Sequence, residues 1–291
     1  MSHGKRARMV IVAGAVMLAG LFLSTSVVRA GENTGRISLN AGVDFPTAYY
    51  FRGIKQEDDG FFAQPYGDVT LNLYEGSNGL NSIDATVGLW NSFQTKSPGD
   101  PEDPTGWYEV DLYGGLTFGL FDNWEVGALY TAYISPNDSF ETTQEIAFSL
   151  AYDDSELLGA FALSPQIMFA VEVQGGGATG PDIGTYFELA VEPGLTLIES
   201  EDYPVTLSFP LTLGLSLDDY YQDPVTGDDE TFGYFDGGLV FGVPLAFIPA
   251  DYGSWDFSAG VHFLALGDST KAINSDDSFE AIGIFGISVA Y

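Results

Sequence analysis

The chain contains no cysteine, few cationic residues and, beyond residue 23, no apolar run of 18 residues. Without cysteine there is neither a disulfide nor a thiolate metal site. Nine Lys and Arg stand against 41 Asp and Glu. That balance excludes nucleic acid as a natural partner, because phosphate binding needs clustered Lys and Arg. The lack of a later apolar run excludes a transmembrane helix, which needs about 20 residues. Runs of helix formers are scarce too, whereas 36 glycines and 14% aromatics favour strands and tight turns. An apolar content of 45% excludes a disordered chain. A disulfide-free single domain of this length then needs a large core or a closed sheet.

The N-terminus has the organisation of a secretory leader. Lys5, Arg6 and Arg8 precede an apolar run from Met9 to Leu23, and small residues follow up to Val28-Arg29-Ala30. We read residues 1–30 as a signal peptide and 31–291 as one domain. Four of the nine basic residues and none of the 41 acidic ones lie in the leader, which leaves five against 41, a net charge of −36.

From Arg36 onward, segments with a period of two recur to the last residue. The final one, Phe279–Tyr291, sets Phe285, Ile287, Val289 and Tyr291 against Gly286, Ser288 and Ala290. Val205–Leu217 has apolar residues at every odd position, with Thr, Ser, Pro and Gly between them. Twelve such segments are counted, the first running from Arg36 past Pro46 to Gln56. A soluble β-sandwich turns its apolar face inward, and a membrane barrel turns it outward. Segments of 10–15 residues, a small and polar opposite face, and aromatics at segment ends favour the barrel. The expected fold is therefore all-β: an antiparallel up-and-down transmembrane β-barrel of about 12 strands. Its last strand, ending at Tyr291, should pair with the first and close it. The expected location is the outer membrane of a Gram-negative-type bacterium. The expected partners are outer-membrane lipid, small solutes, and the barrel-assembly machinery through the C-terminal strand.

The segment VDFPTAYYFRGIKQ carries Tyr49, Phe51, Arg52, Gly53 and Ile54 in a Tyr-x-Phe-Arg-Gly-Ile run, followed by Gln56 and Glu57. It resembles the opening of the TorF-family putative porins, and Ala85–Trp90 is similar to that family's third strand. The resemblance covers about 50 residues and departs at Pro46 and in the long acidic loops. It implies a barrel and a pore.

By strand phase, Tyr49 and Phe51 should face lipid, whereas Tyr50 and Arg52 should face the lumen. The lumen phase also holds Glu109, Asp111, Glu145, Glu172, Glu188, Asp236 and His262, and with Tyr50 and Arg52 these are the candidate pore-lining residues. Arg52 has two readings: an eyelet charge that shapes selectivity, or a structural ion pair. The acidic lumen favours cations. The expected function is a porin-like channel for passive diffusion of small solutes with weak cation preference. A non-conducting structural or binding barrel is the alternative. A lipid hydrolase is a lesser one, since His262 has Asp256 and Ser258 nearby in sequence but no GxSxG elbow is present. No catalytic residue, cofactor or metal ligand is assigned, and the acidic loops read as solvated surface.

Overall fold

The computed structural model describes residues 35–96, 106–175, 182–200 and 203–291. The leader assigned to residues 1–30 and the acidic stretch Asp100–Asp103 lie outside the described residues. The strands in chain order are β1 (Ile37–Pro46), β2 (Tyr49–Phe51), β3 (Ile54–Glu57), β4 (Phe62–Glu75), β5 (Leu80–Gln94), β6 (Gly106–Leu120), β7 (Trp124–Ile134) and β8 (Thr143–Tyr152). They continue with β9 (Gln166–Gln174), β10 (Thr185–Val191), β11 (Gly194–Ile198), β12 (Val205–Ser208), β13 (Leu211–Asp218), β14 (Phe232–Pro244), β15 (Ser254–Leu266) and β16 (Phe279–Ala290). Two short helices, α1 (Ser155–Leu158) and α2 (Asp268–Ile273), lie in connections.

Fourteen strands form one antiparallel sheet that closes on itself as twelve staves. One stave is β10 followed by β11, interrupted at Glu192-Pro193. The next is β12 followed by β13, interrupted at Phe209-Pro210. Each proline lacks the N–H that an unbroken ladder needs. The expected closure is present. β1 pairs with β16 from Asn40↔Ala290 to Pro46↔Ile284, and Leu39 and Tyr291 exchange two backbone hydrogen bonds of 2.8 Å. Both described termini thus lie at one end, called here the near end. The connections β1–β4, β5–β6, β7–β8, β9–β10, β13–β14 and β15–β16 lie at the far end.

The outward face carries the apolar phase. Val87 is 64% exposed, and Leu89, Leu112, Leu116, Phe148 and Phe241 are exposed as well. The inward face is small and polar or aromatic, and cross-strand fit shapes it. Tyr113 lies directly opposite Gly88 and folds over it. A Cβ at Gly88 would stand 2.5 Å from the Tyr113 ring. We expect Gly88→Val to force that ring off its seat and cost about 1–3 kcal/mol, read as a lower urea midpoint of the refolded barrel at unchanged slope.

Two expectations about phase fail. The first segment does not continue as a stave beyond Pro46. Instead β2 and β3 pair only with each other and fold back into the barrel. Tyr49 is therefore buried, and Phe51 packs on Tyr133 of the inner wall at 5.4 Å between ring centroids, so neither faces outward. In β6, a register shift opposite Ser92 and Phe93 inserts a bulge. Trp107 stays outside at 44% exposure, but Tyr108 and Glu109 both turn inward, at 4% and 5%. A bulge re-aims one side chain in this way.

Candidate functional site

The inturned β2–β3 hairpin occupies the lumen and presents Arg52 at its tip. Arg52 and Gly53 form a two-residue turn with φ of 49° and 78°. Positive φ at both central positions is the type I′ geometry that matches the twist of a tight hairpin. Glycine suits the second position. Arginine at the first is a costly residue in left-handed backbone, so its surroundings must hold it there.

They do so on several sides. Arg52 Nη1 and Nη2 donate to the two carboxylate oxygens of Glu145 on β8, at 2.6 and 2.9 Å. Nη1 also donates to the Tyr220 hydroxyl at 2.8 Å. The guanidinium stacks on Tyr186 at 4.0 Å from the ring centre, with Phe51 and Tyr220 at 5.0 and 5.3 Å. The Arg52 carbonyl accepts from Tyr221 Oη at 2.9 Å, and the Gly53 carbonyl from Asn274 Nδ2 at 2.7 Å. Asn274 Oδ1 in turn accepts from the Lys55 N–H. The tip is thus bound to the wall and to two other far-end connections. At the hairpin's exit, Lys96 Nζ donates to Asp59 at 2.9 Å, and that bond holds the Asp59 carboxyl below its ordinary pKa.

All nine candidate lining residues are buried on the inward side. Tyr50 packs with Ile54, Tyr186, Tyr220, Tyr221 and Tyr234 in one apolar cluster, and Tyr49 packs with Trp90, Tyr108, Tyr113 and Tyr133 in another. Glu109 accepts from Tyr49 Oη at 2.8 Å, Glu172 from the Gly184 N–H at 2.7 Å, and Glu188 from Tyr186 Oη at 2.6 Å. Asp236 pairs with His262 Nδ1 at 2.8 Å. The carboxylate on His262 is therefore Asp236 of the neighbouring strand, not Asp256. Among the described residues, the Nε2 atom of His262 has no hydrogen-bond partner, serine included. Asp111 is buried with both oxygens unpartnered.

The far half of the lumen is consequently filled. Toward the near end, Asp84, Thr117, Glu125, Ser149, Asp256 and Ser288 are partly exposed to solvent. A small pocket of about 30 Å³ is lined by Thr117, Ser149, Gln166, Tyr133, Glu145 and Arg52. No stave carries Lys or Arg. Arg52 is the cation that reaches the lumen centre, and it arrives on an insert. Sequence reasoning missed Tyr186, Tyr220, Tyr221, Tyr234 and Asn274. The one usable signal was the Arg52-Gly53 pair, a two-residue turn with glycine second.

No protein-family model matches the chain, and no curated protein matches it. Solved structures that align over most of the chain do so at low identity and with TM-scores under 0.5. An outer-membrane channel from Pseudomonas putida is 12% identical at a TM-score of 0.48, covering 88% of this chain and 96% of that one. The β domain of the Bordetella autotransporter BrkA is 11% identical at 0.45, covering 88% and 98%. The NanC porin is 12% identical at 0.41, covering 86% and 98%.

Proposed function

We propose that this chain is exported through its N-terminal leader and forms a porin-like channel in an outer membrane. Small solutes would cross it by passive diffusion with a weak preference for cations, and the arrangement described above is its closed state. The near end then faces the periplasm and the far end the exterior. One observation carries this reading: the obstruction at the lumen centre is an insert hung on the wall, and the wall itself is polar and acidic. A twelve-stave barrel lies between eight-stave barrels, which side chains fill, and sixteen-stave barrels, which leave an aqueous channel. An acidic wall without Lys or Arg draws cations and repels anions.

A second reading, a non-conducting structural or binding barrel, draws on the two aromatic clusters that fill the far half. Planar-bilayer recording of the pure refolded protein under a salt gradient separates the two. Brief unitary openings with a reversal potential on the cation side are expected. An anion-side reversal would remove the selectivity. Silence both in the parent and after removal of the hairpin would remove the channel.

A further inference from the structure

Glu109 and Asp111 are two residues apart on β6 and point to the same side, at 5% and 0% exposure. Both therefore stand on the same inner face of one strand. Both are acceptors when ionised, and among the described residues no cation pairs with them. Arg52 is committed to Glu145, and no stave has Lys or Arg. Burying ionised carboxylates without a counter-charge costs several kcal/mol each, about what an ion loses on leaving water.

The opposite strand adds an independent feature. Ser92 of β5 stands directly across from Glu109, and Trp90 directly across from Asp111. Directly paired residues on one face have Cβ atoms about 5 Å apart. The Ser92 hydroxyl is fully buried and has no hydrogen-bond partner. The same holds for both carboxylate oxygens of Asp111 and for the amide oxygen of Gln94, two residues along β5. Unpartnered buried oxygens of this kind are rare in folded proteins and call for an explanation. Here they belong to two adjacent strands, on the inner face of the same stretch of wall.

We propose that Glu109, Asp111 and Ser92, with Gln94 at the rim, form an inner-wall site for a hard divalent cation such as Ca²⁺. The donors are all oxygen, the set that Ca²⁺ takes. Two carboxylates match the charge of one divalent ion. Glu109 also accepts from Tyr49 at the root of the hairpin, so a bound ion ties the hairpin to the wall. The site does not depend on whether the barrel conducts.

Calorimetric titration of CaCl₂ into the chelator-stripped, refolded protein tests this. One ion per chain is expected. Asp111→Asn should weaken binding about a hundredfold, the size expected when one partner of a buried charge pair is removed. Ser92→Ala should weaken it about tenfold, and the loop variant Asp276→Asn should leave it unchanged. Tb³⁺ supplies a readout that survives a poorly folding Asp111 variant. Trp90 should sensitise its emission, and Trp90→Phe should abolish most of that signal while Ca²⁺ still competes at parental affinity. No binding by the parent chain would overturn the site and leave a proton-sharing pair. Binding unchanged in Asp111→Asn or Ser92→Ala, or Tb³⁺ emission unchanged in Trp90→Phe, would move the ion elsewhere and overturn it too.

Discussion

Replacing residues 48–58 with a short Gly-Ser link will turn a barrel that is mostly closed in a planar bilayer into one with long, resolvable unitary openings. The expectation follows from what the segment does and does not hold. β2 and β3 form a two-stranded sheet of their own and contribute no rung to the barrel ladder. β1 still pairs with β4 from Ile37↔Leu71 to Asp44↔Gln64, and with β16 on its other side. Removal takes Tyr49, Tyr50, Phe51 and Ile54 out of the lumen together with Arg52, and Glu145 regains water. The remaining wall then carries acids without an opposing cation. The open variant should prefer K⁺ over Cl⁻ by roughly tenfold or more, within the range that charged clefts concentrate counter-ions. Reversal potentials at two ionic strengths check this, because the preference should shrink as salt screens the wall. A variant that folds yet stays silent would mean that Tyr186 and Tyr234 on the staves, with Tyr220 and Tyr221 from the β13–β14 connection, close the lumen unaided. The binding-barrel reading would then stand.

The twelve staves were legible because the two faces of each differ in chemistry, and period two reports that difference directly. Val205–Leu217 illustrates both the strength and the limit. Its alternation is complete in sequence, yet Pro210 splits it into β12 and β13. The hairpin was misread for the same reason that the staves were read. Tyr49 and Phe51 continue the odd phase of the first segment well enough to look like more wall, and only the Arg52-Gly53 turn marks the reversal. Tyr108 was lost to a one-residue bulge, which turns that side chain inward beside Glu109 while the phase beyond it holds. Tyr220, Tyr221 and Asn274 sit in connections rich in acid, so composition pointed them to water. Their partners, Arg52 and Gly53, are well over a hundred residues away. No local pattern carries that information. Nor could spacing show that Asp236, rather than Asp256, meets His262, since that depends on the register of β14 against β15.

Glu145→Ala should loosen the hairpin more than any other single wall substitution, by about 3–5 kcal/mol, because it strands the Arg52 guanidinium in a dry lumen. The pair is bidentate and 2% and 4% exposed, so little of its attraction is screened. The double change Arg52→Met with Glu145→Met should cost much less than Glu145→Ala, since an apolar pair of similar volume removes the desolvation term from both sides. Stacking on Tyr186 at 4.0 Å adds about 2 kcal/mol in a desolvated setting and is lost in every variant that lacks the guanidinium. Arg52→Lys is therefore no conservative change: it keeps the charge but loses the fork and the stack. It should fall between the parent and Glu145→Ala. Hydrogen exchange at the β2 and β3 amides measures the docking free energy directly, because these strands can open while the barrel ladder stays intact. A coupling energy below about 0.5 kcal/mol in the Arg52/Glu145 cycle would mark the pair as a passive filler. A large coupling, together with longer channel openings in Glu145→Ala than in the double variant, would make this ion pair the latch and the charge on Arg52 the reason it holds.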